Sequence, residues 1–215
     1  MTTTLLLLRH GQTDWNASGR FQGQKDVPLN STGHQQAAVA ARALAAMNPD
    51  ALWCSPLTRT RETMAPLAQR TGLPVSYDDR LKEIHVGSWE GLTMETVDQV
   101  DPGFRRALAE ARDYRRSPQG ETATETGLRW ASAISDISTA HEGQLVVVVS
   151  HGLALRQGVC AFLGWSWEVS QQLGSFDNCS WATLEDRHGR WRLATYNENV
   201  SSMMALMDDP SPEQA

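Results

Sequence analysis

The chain has 215 residues, a hydrophobic fraction of 40%, a charged fraction of 20% and a formal net charge of −6. This length and composition fit one soluble globular domain with a substantial core. The acidic balance argues against a nucleic-acid-binding protein, which usually carries a basic excess. It does not exclude an anionic small substrate, because a local cationic pocket can lie in an acidic surface.

The cysteines and the first apolar run bear on where the protein works. Cys54, Cys160 and Cys179 are odd in number and far apart, which fits neither a disulfide framework nor a zinc site. The apolar run at residues 5–8 is too short to span a membrane and lacks the basic leader of a signal peptide. The sequence therefore predicts a cytoplasmic protein that contacts no membrane.

The first predicted element is a strand at residues 3–9, which ends in Arg9, His10 and Gly11. Ligands of open α/β sheets bind at the carboxyl ends of the strands, so this strand would deliver a cation and an imidazole to that edge. A neutral imidazole is a nucleophile at pH 7, and a guanidinium is a fixed phosphate clamp. The pair suggests attack on phosphorus, although a histidine after an apolar strand is more often a packed or capping residue.

Strands and helices then alternate along the chain. The predicted segments are a loop at 11–30, a helix capped by Ser31 or Thr32 and running to 47, a strand at 51–54, a helix opened at 55–58 and running to 72, and a strand at 75–77. This alternation predicts a parallel sheet with helices on both faces.

The second half begins with an irregular segment at 79–93. Residues 94–142 are mostly helical in pattern and broken at 118–120, which predicts a helical insertion or lid within a single domain over residues 1–200. The remaining predicted segments are a strand at 145–149, a helix from Leu153 to about Leu163, strands at 181–184 and 191–194, and a flexible tail at 201–215.

A later strand repeats the design of the first, because the apolar run at 146–149 leads into Ser150, His151 and Gly152. Two strands that each end in His-Gly, about a domain apart, are hard to explain by packing alone. Arg59 lies in the first turn of the second predicted helix, near the end that favours anions. These observations predict an anion site at one edge of the sheet.

A carboxyl suited to acid catalysis lies in the irregular segment. Glu83 has apolar neighbours in a glycine-flanked loop, and partial burial favours the protonated form of a carboxyl. The alternative is a surface glutamate paired with Lys82 or Arg80. Glu90 is a rival for the role of acid. Glu121 fits turn and capping chemistry before a helix, or it faces the substrate and assists Glu83.

These motifs together resemble the histidine phosphatase superfamily, in its cofactor-dependent phosphoglycerate mutase-like branch. The resemblance covers nearly the whole chain, in the family's order, and rests on five linked motifs. They comprise Leu8 to Thr13 with Asn16 and Arg20 to Gly23; Leu29, Gly33, Gln36 and Ala37; Ser55, Leu57, Arg59, Glu62 and Thr63; Leu81, Glu83, Gly87 and Trp89 to Gly91; and Ser150 to Gly152 with Asn178.

The resemblance implies a three-layer α/β/α fold around a mixed, mostly parallel six-stranded sheet. It also implies the roles of the catalytic residues. His10 would attack phosphorus and become a phosphohistidine, while Arg9, Arg59 and His151 would bind the phosphoryl oxygens. Glu83 would protonate the leaving alkoxide and then help to activate water.

The same resemblance implies the remaining ligands and partners. Asn16 would add a neutral donor, and Gln22 with the backbone of Gly23 would line the mouth of the site. No metal or other cofactor is expected, since phosphoryl transfer needs positioning and a donor-rich anion site more than a metal. The expected partners are a small phosphorylated metabolite and a second copy of the chain in a homodimer.

The sequence of the loop around Glu83 distinguishes mutases from phosphatases in this branch. Mutases of this branch typically carry Glu-Arg-x-Tyr-Gly there, whereas this chain has Glu-Ile-His-Val-Gly at 83–87, followed by Trp-Glu-Gly at 89–91. The Trp-Glu-Gly form resembles the phosphatases, and the chain is short for a mutase. We therefore predict a phosphatase. A phosphoglycerate mutase and a catalytically inactive binding module of the same fold are the alternatives.

Substrate specificity is expected in residues 94–142. Five arginines there either form a solvated helix face, or include one or two that bind a second anionic group such as a carboxylate. They are Arg105, Arg106, Arg112, Arg115 and Arg116. The stretches at 177–181 and 191–193 resemble glucosyl-3-phosphoglycerate phosphatases. A broad-specificity phosphatase and an α-ribazole-phosphate phosphatase are the neighbouring alternatives.

Overall fold

The computed structural model describes residues 2–200, so the tail predicted at 201–215 lies outside the described residues. A mixed six-stranded sheet forms its centre, in the order β3-β2-β4-β1-β5-β6. β1 to β4 are mutually parallel, and β5 runs antiparallel to both β1 and β6. The strands are β1 (Thr4–Arg9), β2 (Ala51–Cys54), β3 (Val75–Tyr77), β4 (Leu145–Ser150), β5 (Trp181–Asp186) and β6 (Trp191–Glu198). This confirms the predicted α/β class and the mostly parallel sheet.

The two central strands are apolar because both faces of the sheet are covered by helices. Residues 5–8 of β1 and 146–149 of β4 are buried. The strands pair in register, with Leu7 opposite Val148 and Arg9 opposite Ser150. The two predicted His-Gly strand ends therefore leave the sheet side by side.

The helices form the outer layers. They are α1 (Asp14–Ala17), α2 (Ser31–Ala46), α3 (Thr58–Thr71), α4 (Met94–Val100), α5 (Gly103–Ala109), α6 (Ala123–Ala140), α7 (Gly152–Phe162) and α8 (Trp167–Gln172), with 3₁₀ turns at Asp79–Leu81 and Gly87–Trp89. Apolar side chains of α2 and α3 cover one face of the sheet, and those of α6 and α7 cover the other. α2 is capped by Asn30, which accepts the Gly33 N–H at 2.9 Å, one residue before the predicted cap.

The helical content predicted for 94–142 divides into two parts. α6 packs on the sheet as a core helix, with Trp130 and Ile134 fully buried. Residues 94–122, which we call the insertion segment, instead form a small separate core around Phe104 and Trp89. Within residues 2–200, none of the helices is long and apolar enough to cross a membrane.

Candidate active site

His10 and His151 meet where β1 and β4 end. Their ring centroids are 5.3 Å apart, with the ring planes inclined by 62°, and both side chains are buried. The backbone N–H of His10 donates to the carbonyl of Ser150 at 3.1 Å, which ties the two strand ends together. The register of two parallel strands thus brings together two residues that are 141 positions apart in sequence.

The ring of His10 is held in one tautomer. Its Nδ1 lies 2.7 Å from the carbonyl oxygen of Gly11, and a carbonyl only accepts, so Nδ1 carries the proton. The lone pair therefore lies on Nε2. Burial, followed by the nearby Arg59 and Arg9, lowers the pKa of His10 well below its usual value. The imidazole is neutral at pH 7, as a nucleophile on phosphorus must be.

The backbone around His10 is fixed from three sides. Its carbonyl accepts the Asn178 side-chain amide at 3.0 Å and the Cys179 N–H at 3.3 Å. The N–H of Gly11 donates to the Thr63 hydroxyl at 3.0 Å. Gly11 has no room for a side chain, since a Cβ there would lie 2.6 Å from a neighbouring backbone oxygen. These contacts allow little displacement of the His10 backbone.

Arg59, near the start of α3, is completely buried beside the histidines. Its Nε donates to Nδ1 of His151 at 3.2 Å, and its two terminal nitrogens donate to the carbonyls of Lys25 and Gly23 at 2.8 Å each. These bonds use three of the five guanidinium N–H groups, which leaves two for an anion. Burial lowers its pKa to about 10, so Arg59 is still a cation at pH 7.

Protein side chains hold the His151 ring by hydrogen bonds that the sequence did not predict. Its Nδ1 accepts from Arg59, so its proton lies on Nε2, which is 2.8 Å from the Ser55 hydroxyl. Both ring nitrogens are therefore bonded to protein groups. Burial, followed by Arg59 and His10, lowers the pKa of His151 well below its usual value. Direct binding of a phosphoryl oxygen requires one of these bonds to open.

Arg9 closes the other side of the site. One terminal nitrogen donates to the carbonyl of Phe176. Its buried Nε has no hydrogen-bond partner among the described residues. A buried N–H without a partner is costly, and an anionic oxygen satisfies it well. Burial lowers the pKa of Arg9, while the nearby Glu83 and Asp177 act in the opposite direction.

The Glu83 carboxylate lies against the N-terminus of α7. Its Oε1 accepts the N–H groups of Ile84 and Ala154 at 2.9 Å each, and Oε2 accepts that of Leu153 at 3.2 Å. The first turn of a helix favours a negative charge there. The Glu83 carboxylate therefore lies against the junction between β4 and α7, next to the residues that follow His151.

The alternative of a surface ion pair for Glu83 is wrong, because its neighbours pair elsewhere. Lys82 binds Asp79 at 2.9 Å, and Arg80 binds Asp78 and Asp136 at 2.7 Å each.

The two rival carboxyls lie in different surroundings. Glu90 lies beside Gly23, where a Cβ would be 3.2 Å from its Oε1, and close enough to interact electrostatically with Arg59. Glu121 forms a two-pronged ion pair with Arg129, at 2.8 and 2.9 Å. Glu121 is thus held by Arg129 on α6, whereas Glu83 lies against the first turn of α7, just after His151.

The predicted mouth residues form a connected polar group. The amide oxygen of Gln22 accepts the Thr13 hydroxyl at 3.1 Å, and that of Asn16 accepts the Thr13 N–H at 3.1 Å. Asn178 also approaches the Asn16 oxygen, at 3.4 Å. Both amide oxygens are used as acceptors, so the amide nitrogens of Gln22 and Asn16 remain as donors for a ligand.

The five arginines of the insertion segment differ in exposure, with four at the surface and one buried. Arg105 pairs with Asp98, Arg112 with Glu110, and Arg115 with Glu125, all with exposed guanidinium groups, and Arg106 is exposed as well. These four lie at the surface, as the solvated-face alternative predicts.

Arg116 differs from the other four because it is buried. Its guanidinium lies 4.9 Å from the centroid of the Phe104 ring, and 3.7 Å from Asp113. Burial lowers the pKa of Arg116. Asp113 acts in the opposite direction, and a further cation, Arg156, lowers the pKa as well.

Sequence reasoning missed Arg156. It lies on α7, one turn after Gly152, and its buried Nε has no hydrogen-bond partner in the described part of the chain. Residues four apart on a helix lie on the same face, so the spacing from Gly152 to Arg156 could have indicated that Arg156 lies on the face that begins at the site. Arg116 thus interacts electrostatically with a second cation, Arg156, and with the carboxylate of Glu83.

The comparisons with known proteins agree with this geometry. The model of the histidine phosphatase superfamily (branch 1) matches residues 5–199. The chain belongs to the histidine phosphatase superfamily. A glucosyl-3-phosphoglycerate phosphatase of Mycolicibacterium vanbaalenii is 36% identical over 215 residues, covering 91% of this chain and 95% of the relative.

One further relative and one solved structure are similar over nearly the whole chain. A probable phosphoglycerate mutase of Serratia proteamaculans is 30% identical over 208 residues, covering 97% of this chain and 96% of the relative. A solved mycobacterial glucosyl-3-phosphoglycerate phosphatase has a TM-score of 0.83 and 34% identity, covering 91% of this chain and 99% of that one. The glucosyl-3-phosphoglycerate phosphatase relatives, which have the higher identities, agree with the Trp-Glu-Gly loop and identify the chain as a phosphatase of this family.

Proposed function

We propose that this histidine phosphatase hydrolyses a small phosphomonoester through a phosphohistidine at His10. The observation that carries the proposal is the fixed tautomer of His10. Its lone pair lies on Nε2, and the buried ring interacts electrostatically with Arg59 and Arg9, whose remaining N–H groups suit phosphoryl oxygens. A neutral nucleophile next to fixed cations is what attack on a phosphate dianion requires.

The reaction then has two steps. In the first, Nε2 of His10 forms a bond to phosphorus while the bond to the leaving oxygen breaks, and Glu83 gives its proton to that oxygen. In the second, Glu83 takes a proton from water as the water attacks phosphorus, which releases orthophosphate and restores neutral His10. No step needs a metal, and the described residues contain no group of three or more His, Cys, Asp and Glu that could hold one.

Arg116 and Arg156 support a substrate with a second anionic group. Arg116 is close enough to both Glu83 and Arg156 to interact with them electrostatically, and the buried Nε of Arg156 has no hydrogen-bond partner among the described residues. Glucosyl-3-phosphoglycerate, which the relatives' names point to, carries a carboxylate on the alcohol that leaves. We therefore propose a carboxylated phosphomonoester as the substrate, with glucosyl-3-phosphoglycerate as the first candidate.

The decisive experiment measures phosphate release without added metal, by the wild type and by His10→Ala. The panel contains p-nitrophenyl phosphate, glucosyl-3-phosphoglycerate, 3-phosphoglycerate and α-ribazole phosphate, with a mutase assay in parallel. We expect metal-independent release that His10→Ala abolishes, and a labelled phosphohistidine in acid-sensitive, base-stable form after quenching. Release that survives in His10→Ala would exclude this mechanism. Mutase activity without release would favour the phosphoglycerate mutase alternative.

A cytoplasmic location and a homodimer are also part of the proposal. The dimer is tested by light scattering coupled to size-exclusion chromatography of the full chain, and a monomer at micromolar concentration would contradict it.

A further inference from the structure

Arg129, on α6, makes an unusually complete set of hydrogen bonds to the loop that carries Glu83. Its two terminal nitrogens donate to the carbonyls of Arg80 at 2.6 Å, Lys82 at 3.0 Å and Glu83 at 3.3 Å. Its Nε and one terminal nitrogen also donate to the carboxylate of Glu121, at 2.9 and 2.8 Å. These five bonds use all five N–H groups of the guanidinium.

Glu121 fixes the plane of this guanidinium and also binds the loop directly. Its Oε2 accepts the backbone N–H of His85 at 2.8 Å and the Thr126 hydroxyl at 3.2 Å. Burial alone would raise the pKa of Glu121, but the bonds from Arg129 and from the His85 N–H outweigh it and hold the pKa below its usual value. The pair is therefore ionised at neutral pH, with each partner's charge compensated.

Arg129 is one of several groups that hold this loop, since the Gln24 side chain donates to the Glu83 carbonyl at 3.1 Å and the Glu121 N–H donates to the His85 carbonyl at 2.7 Å. Residues 82–86 belong to neither a helix nor a strand, and carbonyls in such a segment must find side-chain partners when they are buried. Besides the three carbonyls held by Arg129, that of Leu81 accepts the Ser150 hydroxyl at 2.7 Å, which in turn accepts from Trp130. α6 and β4 thus hold the loop from beneath.

This arrangement determines where the Glu83 carboxylate can go. The side chain of Glu83 is tied to the N-terminus of α7, while its backbone is tied through Arg129 to α6. We propose that Arg129, oriented by Glu121, is a positioning residue that keeps Glu83 within reach of the leaving oxygen. This rests on the proposed role of Glu83 as the acid. It explains why Glu121, which sequence reasoning considered as a second acid, lies behind the reacting groups.

The test exploits the fact that an acid matters only for a poor leaving group. p-Nitrophenolate leaves without a proton, whereas an alkoxide does not, so loss of Glu83 function lowers turnover of an alkyl phosphate selectively. The variants are Arg129→Gln, Arg129→Lys and Glu121→Gln, with Arg187→Gln as an exposed control at the opposite end of the sheet. Glu83→Gln gives the reference pattern.

We expect Arg129→Gln to lower kcat for glycerol 3-phosphate about 10- to 100-fold more than kcat for p-nitrophenyl phosphate, with KM little changed. Arg129→Lys keeps the charge but has only three donors on one atom, so we expect the same selectivity in weaker form. Arg187→Gln should match the wild type. The ratio of two substrates in one sample is independent of how much of a variant folds, so partial unfolding cannot produce it.

A double variant separates the two proposals. In the Glu83→Gln background, adding Arg129→Gln should cause no further selective loss, because the acid is already gone. If Glu83→Gln lowers both substrates equally, Glu83 is not the acid and the proposed function fails at that step. If Glu83→Gln is selective but Arg129→Gln and Glu121→Gln lower both substrates equally, the pair is merely structural and the positioning role is wrong.

Discussion

The neutrality of the two buried histidines is the central feature at the scale of single residues. His10 and His151 lie next to Arg59 and Arg9 in a pocket from which water is largely excluded. A protonated imidazole there would meet both the cost of burial and the repulsion of the guanidinium groups. The same cations that suit a phosphate therefore keep the nucleophile unprotonated.

This neutrality makes the protein sensitive to acid. The unfolded chain binds a proton at a histidine pKa near 6.5, whereas the folded chain does not, because burial holds the pKa of His10 far lower. The unfolded state therefore gains protons first, and stability is lost as the pH falls below about 6.5. Between pH 7 and pH 5.5 each such histidine removes about 1 kcal/mol.

Urea denaturation at the two pH values measures the effect. We expect His10→Asn to lose about 1 kcal/mol less than the wild type on going from pH 7 to pH 5.5. His34→Asn, which changes an exposed histidine on α2, serves as the matched control. If His10→Asn and the wild type lose stability equally, His10 takes up a proton as readily in the folded protein as in the unfolded chain, and the claim that its surroundings keep it unprotonated is wrong.

Substrate selection is also a matter of single residues. Arg116 and Arg156 can recognise a carboxylate, and removing one partner of a charge-assisted hydrogen bond costs about 1.5–3 kcal/mol, or roughly 10- to 100-fold in kcat/KM. We expect Arg116→Gln and Arg156→Gln to show this loss for glucosyl-3-phosphoglycerate but not for p-nitrophenyl phosphate. Arg105→Gln, which removes an exposed arginine of the same segment, should leave both unchanged. Equal losses on both substrates would assign the two arginines to folding rather than recognition.

At the scale of helices and strands, local signals predicted much of what the structure shows. The strands at 51–54 and 75–77 and the strand–His–Gly junctions are where periodicity and glycine placed them. These features are local, because an apolar run bounded by breakers specifies a buried strand by itself. The two His-Gly strand ends meet at one edge of the sheet because parallel strands run in the same direction.

What the sequence could not show depends on contacts between distant segments. Arg129 and Glu121 are eight residues apart, with Glu121 just before α6, and their joint contact with the backbone of residues 80–85 is formed only in the folded protein. Likewise, Arg116 differs from its four neighbours by burial alone, which depends on Phe104 and the packing of the insertion segment. The role of α6 as a core helix was hidden for the same reason.

The contact between α6 and α7 gives a prediction at this scale. A Cβ on Gly158 would lie 2.1 Å from the ring of Trp130, which is completely buried and donates to Ser150. Alanine improves helix propensity by about 1 kcal/mol, but overpacking a rigid core costs about 1–3 kcal/mol. We expect Gly158→Ala to lower the free energy of unfolding in urea, whereas Ser135→Ala, on the exposed face of α6, should not. A stabilised Gly158→Ala would show that the two helices can move apart freely.

For the molecule as a whole, the charge distribution and the division of the core matter most. The chain carries a net charge of −6, yet Arg9 and Arg59 lie with the two histidines at the strand ends, and the buried Arg116 interacts electrostatically with Glu83. The insertion segment packs with Ile84, Val86 and Trp89 of the preceding loop in a small core, separate from the two clusters that flank the sheet. A small satellite core is expected to open more easily than the main one.

That division predicts how the molecule opens. Phe104 is the centre of the satellite core, with its ring 4.9 Å from the centroid of Trp89 and 6.0 Å from that of Tyr114, and it also supports Arg116. Truncation of a buried Phe costs about 3–5 kcal/mol, which corresponds to an increase in local opening of roughly 100-fold or more.

Amide hydrogen exchange read by mass spectrometry tests this expectation. In Phe104→Ala, exchange should rise within residues 94–117 while the peptides of β1 and β4 keep their wild-type protection. Val100→Ala, which alters an exposed side chain of α4, should change neither region. Selective opening would support the predicted lid, because the segment that carries Arg116 could then move without disturbing the two histidines. If Phe104→Ala instead raises exchange in β1 and β4 as much as in the insertion segment, the satellite core unfolds only with the rest of the molecule, and substrate entry must use another route.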